Sequence, residues 1–220
     1  SNKIPKKYNN LGLPLNEIKR HIGWDIGAAK VAKKIASRLD SVLVMSGYSR
    51  LIIDCNRPLS VYEAFIKKSE NTVIPGNLYI TKKEKTERYK KYCLPYRKKI
   101  DKIINLRIKN NIVPIIISIH SFTPIYKGRS RPWHLGILYR KDKRLANLIH
   151  KIIKKNKSIK VGINEPYKCD LKGDFSIPYF AEQNGLPNIL FEIRQDLIND
   201  SKGVEIWSNR LFKLLISVIN

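Results

Sequence analysis

The chain lacks any apolar run near the roughly 18 residues that a membrane-spanning helix needs. Its densest apolar stretch, Ile112 to Ile119, contains Pro114 and reads as a buried strand. The first residues, SNKIPKKYNN, carry no hydrophobic signal-peptide core, so a cytoplasmic protein is expected. Cysteine is scarce. Cys55, Cys93 and Cys169 are odd in number and far apart, which excludes a disulfide framework and a CxxC metal knuckle. They read as small buried thiols in a reducing compartment. No GxSxG elbow occurs, so Ser121 beside His120 is not the signature of a serine hydrolase. No internal repeat or low-complexity linker divides the 220 residues, and one domain over 1–220 is expected. With 43% hydrophobic and 9% aromatic residues, the chain is not a disordered polyelectrolyte.

Acidic residues are also few: 18 Asp and Glu stand against 43 Lys and Arg, a net charge of +25. Such a balance usually points to nucleic acid or an anionic surface. Here the excess is mostly lysine, and Ile, Lys and Asn are enriched together along the whole chain. The lysines fall in amphipathic segments such as KIIKKNKSIK, where a charge run is a solvated helix face. Nucleic acid is therefore not favoured as the main partner.

Periodicity then orders the chain. Ile18, Ile22, Ile26, Ala29, Val31 and Ile35 predict a helix within Asn16 to Asp40. SVLVM and SRLIIDC read as short strands, residues 58–80 as loop, and residues 81–111 as a basic helical segment interrupted or kinked at Pro95. IVPIIISIH, HLGILYR, SIKVGI and NILFEIR read as strands, with helices over DKRLANLIHKIIKKN and the C-terminal SKGVEIWSNRLFKLLISVIN. Strands alternating with helices predict an α/β layer fold with a mostly parallel or mixed central sheet.

In open α/β sheets ligands bind at the carboxyl ends of strands. The predicted strands run out into Asp54-Cys55-Asn56-Arg57, His120-Ser121, Asn164-Glu165 and Glu192-Ile193-Arg194. A histidine, a glutamate, an asparagine and two arginines on one predicted rim suit metal-assisted amide hydrolysis with an anion clamp. Each residue also has a plainer reading. His120 can be a satisfied strand end, Glu192 an ion-pair partner of Arg194 or Arg57, and Asp25 a surface charge or a contact to Arg50.

The set HIGWDIGA (21–28), SRLIIDCNRP (49–58), IHSFTP (119–124), RPWHLGILY (131–139), NEPY (164–167) and FEIRQDLI (191–198) resembles the N-formylglutamate amidohydrolase family in order and spacing. The family is similar to zinc carboxypeptidases and aspartoacylase-type deacylases, and the resemblance implies an α/β fold, three-layer α/β/α with a central mixed, mostly parallel sheet, phosphorylase/hydrolase-like. The resemblance implies hydrolysis of an N-acyl amino acid, with N-formylglutamate giving formate and glutamate as the name-giving case. It also implies one zinc ion per chain, and a Glu-His-Ala motif just before the position of Ser1 whose histidine is an expected ligand. Many members carry a histidine near the position of Phe180, where this chain has a phenylalanine.

The resemblance gives the rim residues roles. His120 is the best zinc ligand and Asp25 the next candidate. Glu192 suits the general base, at a strand end in an apolar segment that would raise its pKa. Arg57, beside Asn56, suits a bidentate clamp on a substrate carboxylate. Arg194, Arg131 and His134 would complete an anionic pocket or stabilise the developing oxyanion. His21 and His150 are given no catalytic role. The alternative, from another functional class, is a non-catalytic member of the same fold that binds nucleic acid or another anion through its basic surface.

Overall fold

Strand-forming and helix-forming stretches separate along the chain. The computed structural model describes residues 1–171 and 173–219. In chain order it contains α1 (Leu15–Lys19), α2 (Ala28–Arg38), β1 (Lys68–Ser69), β2 (Thr72–Val73), α3 (Pro75–Leu78), α4 (Lys82–Arg88) and α5 (Leu94–Lys109). After these come β3 (Ile116–Phe122), β4 (Ile125–Tyr126), β5 (Arg129–Ser130), β6 (Leu135–Leu138), α6 (Arg144–Ile153), β7 (Val161–Ile163), β8 (Asn188–Arg194) and α7 (Ser201–Ile219). The chain divides into two units. The first is Ser1–Trp24, Val44–Ile112 and Leu171–Phe175; the second is Asp25–Leu43, Val113–Asp170 and Ser176–Asn220.

The second unit holds the sheet, in the order β3-β8-β6-β7. β3 runs parallel to β8 and β6 parallel to β7, while β6 and β8 are antiparallel. This is the expected α/β architecture with a mixed central sheet. Side chains alternate along a strand, so β8 has two distinct faces. Ile189, Phe191 and Ile193 point into a core shared with Val31 and Ile35 of α2, Ile149 of α6 and Trp207 and Leu211 of α7. On the opposite face Leu190 packs with Leu138, Cys169 and Ile177. Beyond Leu190 on that face come Glu192 and Arg194, so the polar residues sit at the strand's carboxyl end.

The first unit is mostly helical and irregular. Its core gathers Leu11, Ile18, Leu51, Ile53, Phe65 and Ile74. The basic segment over 81–111 is helical as expected. Thr81 caps α4 by accepting from the Glu84 N–H at 3.2 Å. A π-helical turn, Tyr89–Cys93, lies between α4 and α5, and Pro95, which has no N–H to give to that turn, is the second residue of α5. All three cysteines are buried.

Three expected elements differ. The single helix within 16–40 is two helices: α1 ends at Lys19, where Arg20 turns extended with ψ 167°, and Gly27 caps the start of α2. A Cβ on Gly23 would lie 2.3 Å from the Ile18 carbonyl oxygen, and Gly27 has φ +79°. SVLVM is not a strand: Val42, Leu43 and Met45 are exposed and pair with no ladder. SRLIIDC is buried, yet it runs as turns. The carbonyls of Leu51 and Ile52 are met by Asn77 Nδ2 at 2.9 Å and Arg88 Nη1 at 3.3 Å. No described helix is long and apolar enough to cross a membrane.

Candidate active site

Register sets the site in the second unit. His120 of β3 pairs with Glu192 of β8, Glu192 with Gly136 of β6, and Gly136 with Gly162 of β7. Partners in register share a face, so an imidazole, a carboxylate and two bare positions form one row across the sheet. Glu192 is 8% exposed and is flanked along the strand by the buried Phe191 and Ile193.

His120 is held by Asp25. Its Nδ1 lies 2.6 Å from Asp25 Oδ2, and its Nε2 lies 3.2 Å from Ser118 Oγ, two residues back on the same face. A carboxylate only accepts, so Nδ1 carries a proton, and in the neutral ring the lone pair lies on Nε2. The segment bearing Asp25 is fixed where Ser121 Oγ donates to the Ile26 carbonyl at 2.8 Å. Among the described residues no group of three His, Cys, Asp or Glu is arranged to hold a metal ion. The chemistry of one donor does suit zinc. Metal-bound histidines almost always give their other ring N–H to a carboxylate or carbonyl, as His120 gives Nδ1–H to Asp25. Asp25, expected as a second ligand, contacts His120 Nδ1 through Oδ2.

The bare positions are occupied by another segment. A Cβ on Gly136 would fall 2.1 Å from the Glu165 carbonyl oxygen, and one on Gly162 would fall 2.6 Å from Glu165 Cβ. The glycines thus let the 164–167 loop lie on the sheet beside Glu192. Asn164 fastens it: its N–H donates to the Ile137 carbonyl, and its Oδ1 accepts from the Tyr139 N–H, both at 2.9 Å. This loop presents Tyr167, whose hydroxyl accepts from Arg131 Nη1 at 2.8 Å. The Arg131 guanidinium lies 4.5 Å from the Tyr126 ring centre and 4.8 Å from that of Tyr167. Two rings and a hydroxyl therefore hold one cation in place.

Arg194 shares the face of Glu192 but is engaged by Asp196, to which Nε donates at 2.8 Å and Nη2 at 3.1 Å. His134 accepts at Nδ1 from the Lys160 N–H at 3.2 Å. Burial, then the Arg194 and Lys160 charges, hold its pKa below the usual histidine value. Phe180 is 1% exposed within the Ser176–Ala181 π turn and acts as a packing ring.

Asn56 and Arg57 belong to the first unit. Asp54 Oδ1 accepts from the Asn56 N–H at 3.0 Å, an Asx turn, and Asn56 Nδ2 donates to Asp174 Oδ1 at 3.0 Å. Asp54 Oδ2 stands 3.7 Å from Arg50 Nε and 3.8 Å from Arg57 Nε, one carboxylate shared by two guanidinium groups. His21 lies 3.1 Å from Glu70 and its pKa is lowered by burial against the pull of that carboxylate, as befits a structural residue.

A family model described as N-formylglutamate amidohydrolase matches residues 1–199. The chain belongs to the N-formylglutamate amidohydrolase family. Members of this family are hydrolases acting on an amide. A gene product of Agrobacterium tumefaciens with a known crystal structure is 33% identical and superposes with a TM-score of 0.95, over 99% of this chain and 86% of that one. The N-formylglutamate amidohydrolase of Ralstonia eutropha JMP134 is 16% identical with a TM-score of 0.59, over 85% of this chain and 78% of that one, a likeness of fold. No curated protein matches the chain.

Sequence reasoning missed Ser118, Tyr126 and Asp174. Ser118-Ile119-His120 on a strand does signal a shared face by its period of two. The others meet their partners through folding alone.

Proposed function

We propose that this chain hydrolyses the amide of N-formylglutamate or a close N-acyl acidic amino acid. The observation that carries this reading is the pairing of Glu192 with His120, whose ring is held by Asp25, on one face of the sheet. Family membership supports it.

Glu192 takes a proton from the attacking water as the new C–O bond forms. It returns that proton to the departing amine as the C–N bond breaks, leaving formate and glutamate. A largely buried carboxylate in register with an imidazole is suited to both transfers. A zinc ion, one per chain, would supply Lewis-acid polarisation of the carbonyl and a more acidic water. His120 would hold it through Nε2, with Asp25 fixing the ring.

Arg131, immobilised by its two tyrosines, is the proposed contact for a substrate carboxylate in the second unit. Arg194 and His134 add positive and polar character nearby along the chain, and Arg194 would act mainly through its pairing with Asp196. Asn56 and Arg57 keep the substrate-binding role that the family resemblance implies.

Arg57→Lys tests the carboxylate reading, because it keeps the charge and loses the fork. It should raise KM for N-formylglutamate about tenfold with a smaller change in kcat. Amidating the substrate carboxylates should erase most of that difference. Wild-type protein that processes the amide as readily as the acid would remove the carboxylate clamp from the account.

A further inference from the structure

Arg97 is a cation buried to 6% exposure in α5, and the proposed hydrolysis makes no use of it. We infer that Arg97 is a positioning residue that sets the conformation of the Asn56–Arg57 turn; this rests on the substrate-binding role proposed for that turn. The turn has no ladder to fix it, since residues 49–57 belong to no sheet. Its backbone carbonyls must find partners elsewhere.

Arg97 provides two of them. Its Nη2 donates to the Cys55 carbonyl at 3.1 Å and to the Arg57 carbonyl at 2.6 Å. The carbonyl between these two, that of Asn56, accepts from the Phe175 N–H at 2.8 Å. Phe175 is itself tied to Arg97, whose guanidinium carbon lies 3.4 Å from the centre of its ring. Three successive carbonyls are thus captured by one guanidinium and the residue stacked on it.

The neighbouring contacts complete the bracket. Asn56 Nδ2 reaches Asp174, the residue before Phe175, and the Arg57 N–H donates to the Asp54 carbonyl at 3.1 Å. With Asp54 Oδ1 on the Asn56 N–H, the backbone on both sides of Arg57 is held. A guanidinium is suited to this task because it is planar and bonds in its plane while its face stacks on a ring. Lysine offers a point charge with no face, so it cannot hold the carbonyls and Phe175 together.

Arg97→Lys and the milder Phe175→Leu test this, beside Arg57→Ala and the double variant Arg57→Ala/Arg97→Lys. Two readouts are needed: steady-state kinetics with N-formylglutamate, and amide hydrogen exchange of peptides spanning 54–58. Arg97→Lys should speed exchange in that peptide and raise KM about tenfold with kcat changed less than about threefold. Phe175→Leu should act in the same direction and more weakly, which covers the case in which Arg97→Lys does not fold. Adding Arg97→Lys to Arg57→Ala should raise KM little further, because the positioned group is already gone. Unchanged exchange at 54–58 in both single variants overturns the inference. So does loosened exchange with wild-type KM when Arg57→Ala raises KM. If Arg57→Ala leaves KM unchanged, the substrate-binding reading of the turn fails first, and the positioning role falls with it.

Discussion

Gly136→Ala is the sharpest perturbation of the sheet row. The added methyl would lie 2.1 Å from the Glu165 carbonyl oxygen, 3.0 Å from Leu138 Cδ1 and 3.1 Å from Glu192 Cβ. Carbon and oxygen approach no closer than about 3.3 Å even in the tightest C–H···O contacts, so the strand and the loop must part by about 1 Å. The loop cannot lift freely, because Asn164 ties it to Ile137 and Tyr139. Overpacking of this kind costs about 1–3 kcal/mol, and each hydrogen bond lost adds about 1 kcal/mol. A loss of about 2–4 kcal/mol corresponds to a fall in Tm of about 5–15 °C for a chain of this length. The same shift moves Glu192 and the Tyr167 contact of Arg131, and misplacement by about 1 Å lowers turnover up to a hundredfold. Calorimetric unfolding and formate release measure the two effects. Gly47→Ala is the control, since its Cβ meets nothing within 4 Å, and it should stay within about 0.5 kcal/mol of the parent. Wild-type Tm and turnover in Gly136→Ala would refute the packing argument.

Glu192→Gln should lower kcat at least about a hundredfold while zinc uptake is unchanged, and near-normal turnover would reassign Glu192 to a structural role. Asp25→Asn keeps the size of the side chain but frees the His120 tautomer. Zinc affinity, read by competition with a chromogenic chelator, should fall about 10–100-fold, and full affinity would sink the orienting role. Acid should destabilise the fold through His134. Its native pKa is depressed by burial, Arg194 and Lys160, so below its ordinary value of 6.5 the unfolded chain binds a proton that the native one does not. Stability should therefore fall as pH drops from that value toward the native pKa. Denaturant midpoints across this range should show a shallower slope in His134→Asn, and an unchanged slope would contradict the assignment.

Much of the second unit was legible because its sequence is locally consistent. β8 and β3 are rich in β-branched and aromatic residues, and α6 and α7 show apolar residues at helical spacing against the sheet. The polar residues His120 and Glu192 stood out by interrupting apolar strands. The hidden part depends on register and on long-range partners. Asp25 meets His120 across 95 positions of sequence. Likewise, only strand pairing sets Gly136 beside Glu192. In the first unit, SRLIIDC has the composition of a strand, yet the side chains of Asn77, Arg88 and Arg97 satisfy its carbonyls. Burial was readable there, and the hydrogen-bond partner was not. The break between Arg20 and Gly27 ended a helical pattern that apolar spacing alone would have continued.

The most direct measurement is proton NMR of the zinc-supplied protein with N-formyl-L-glutamate, following formate and glutamate together. Equimolar release of the two by the wild type, and its loss in Glu192→Gln, is the expected result. Folded, zinc-supplied wild type that releases no formate, or a Glu192→Gln variant that releases it at the wild-type rate, would contradict it.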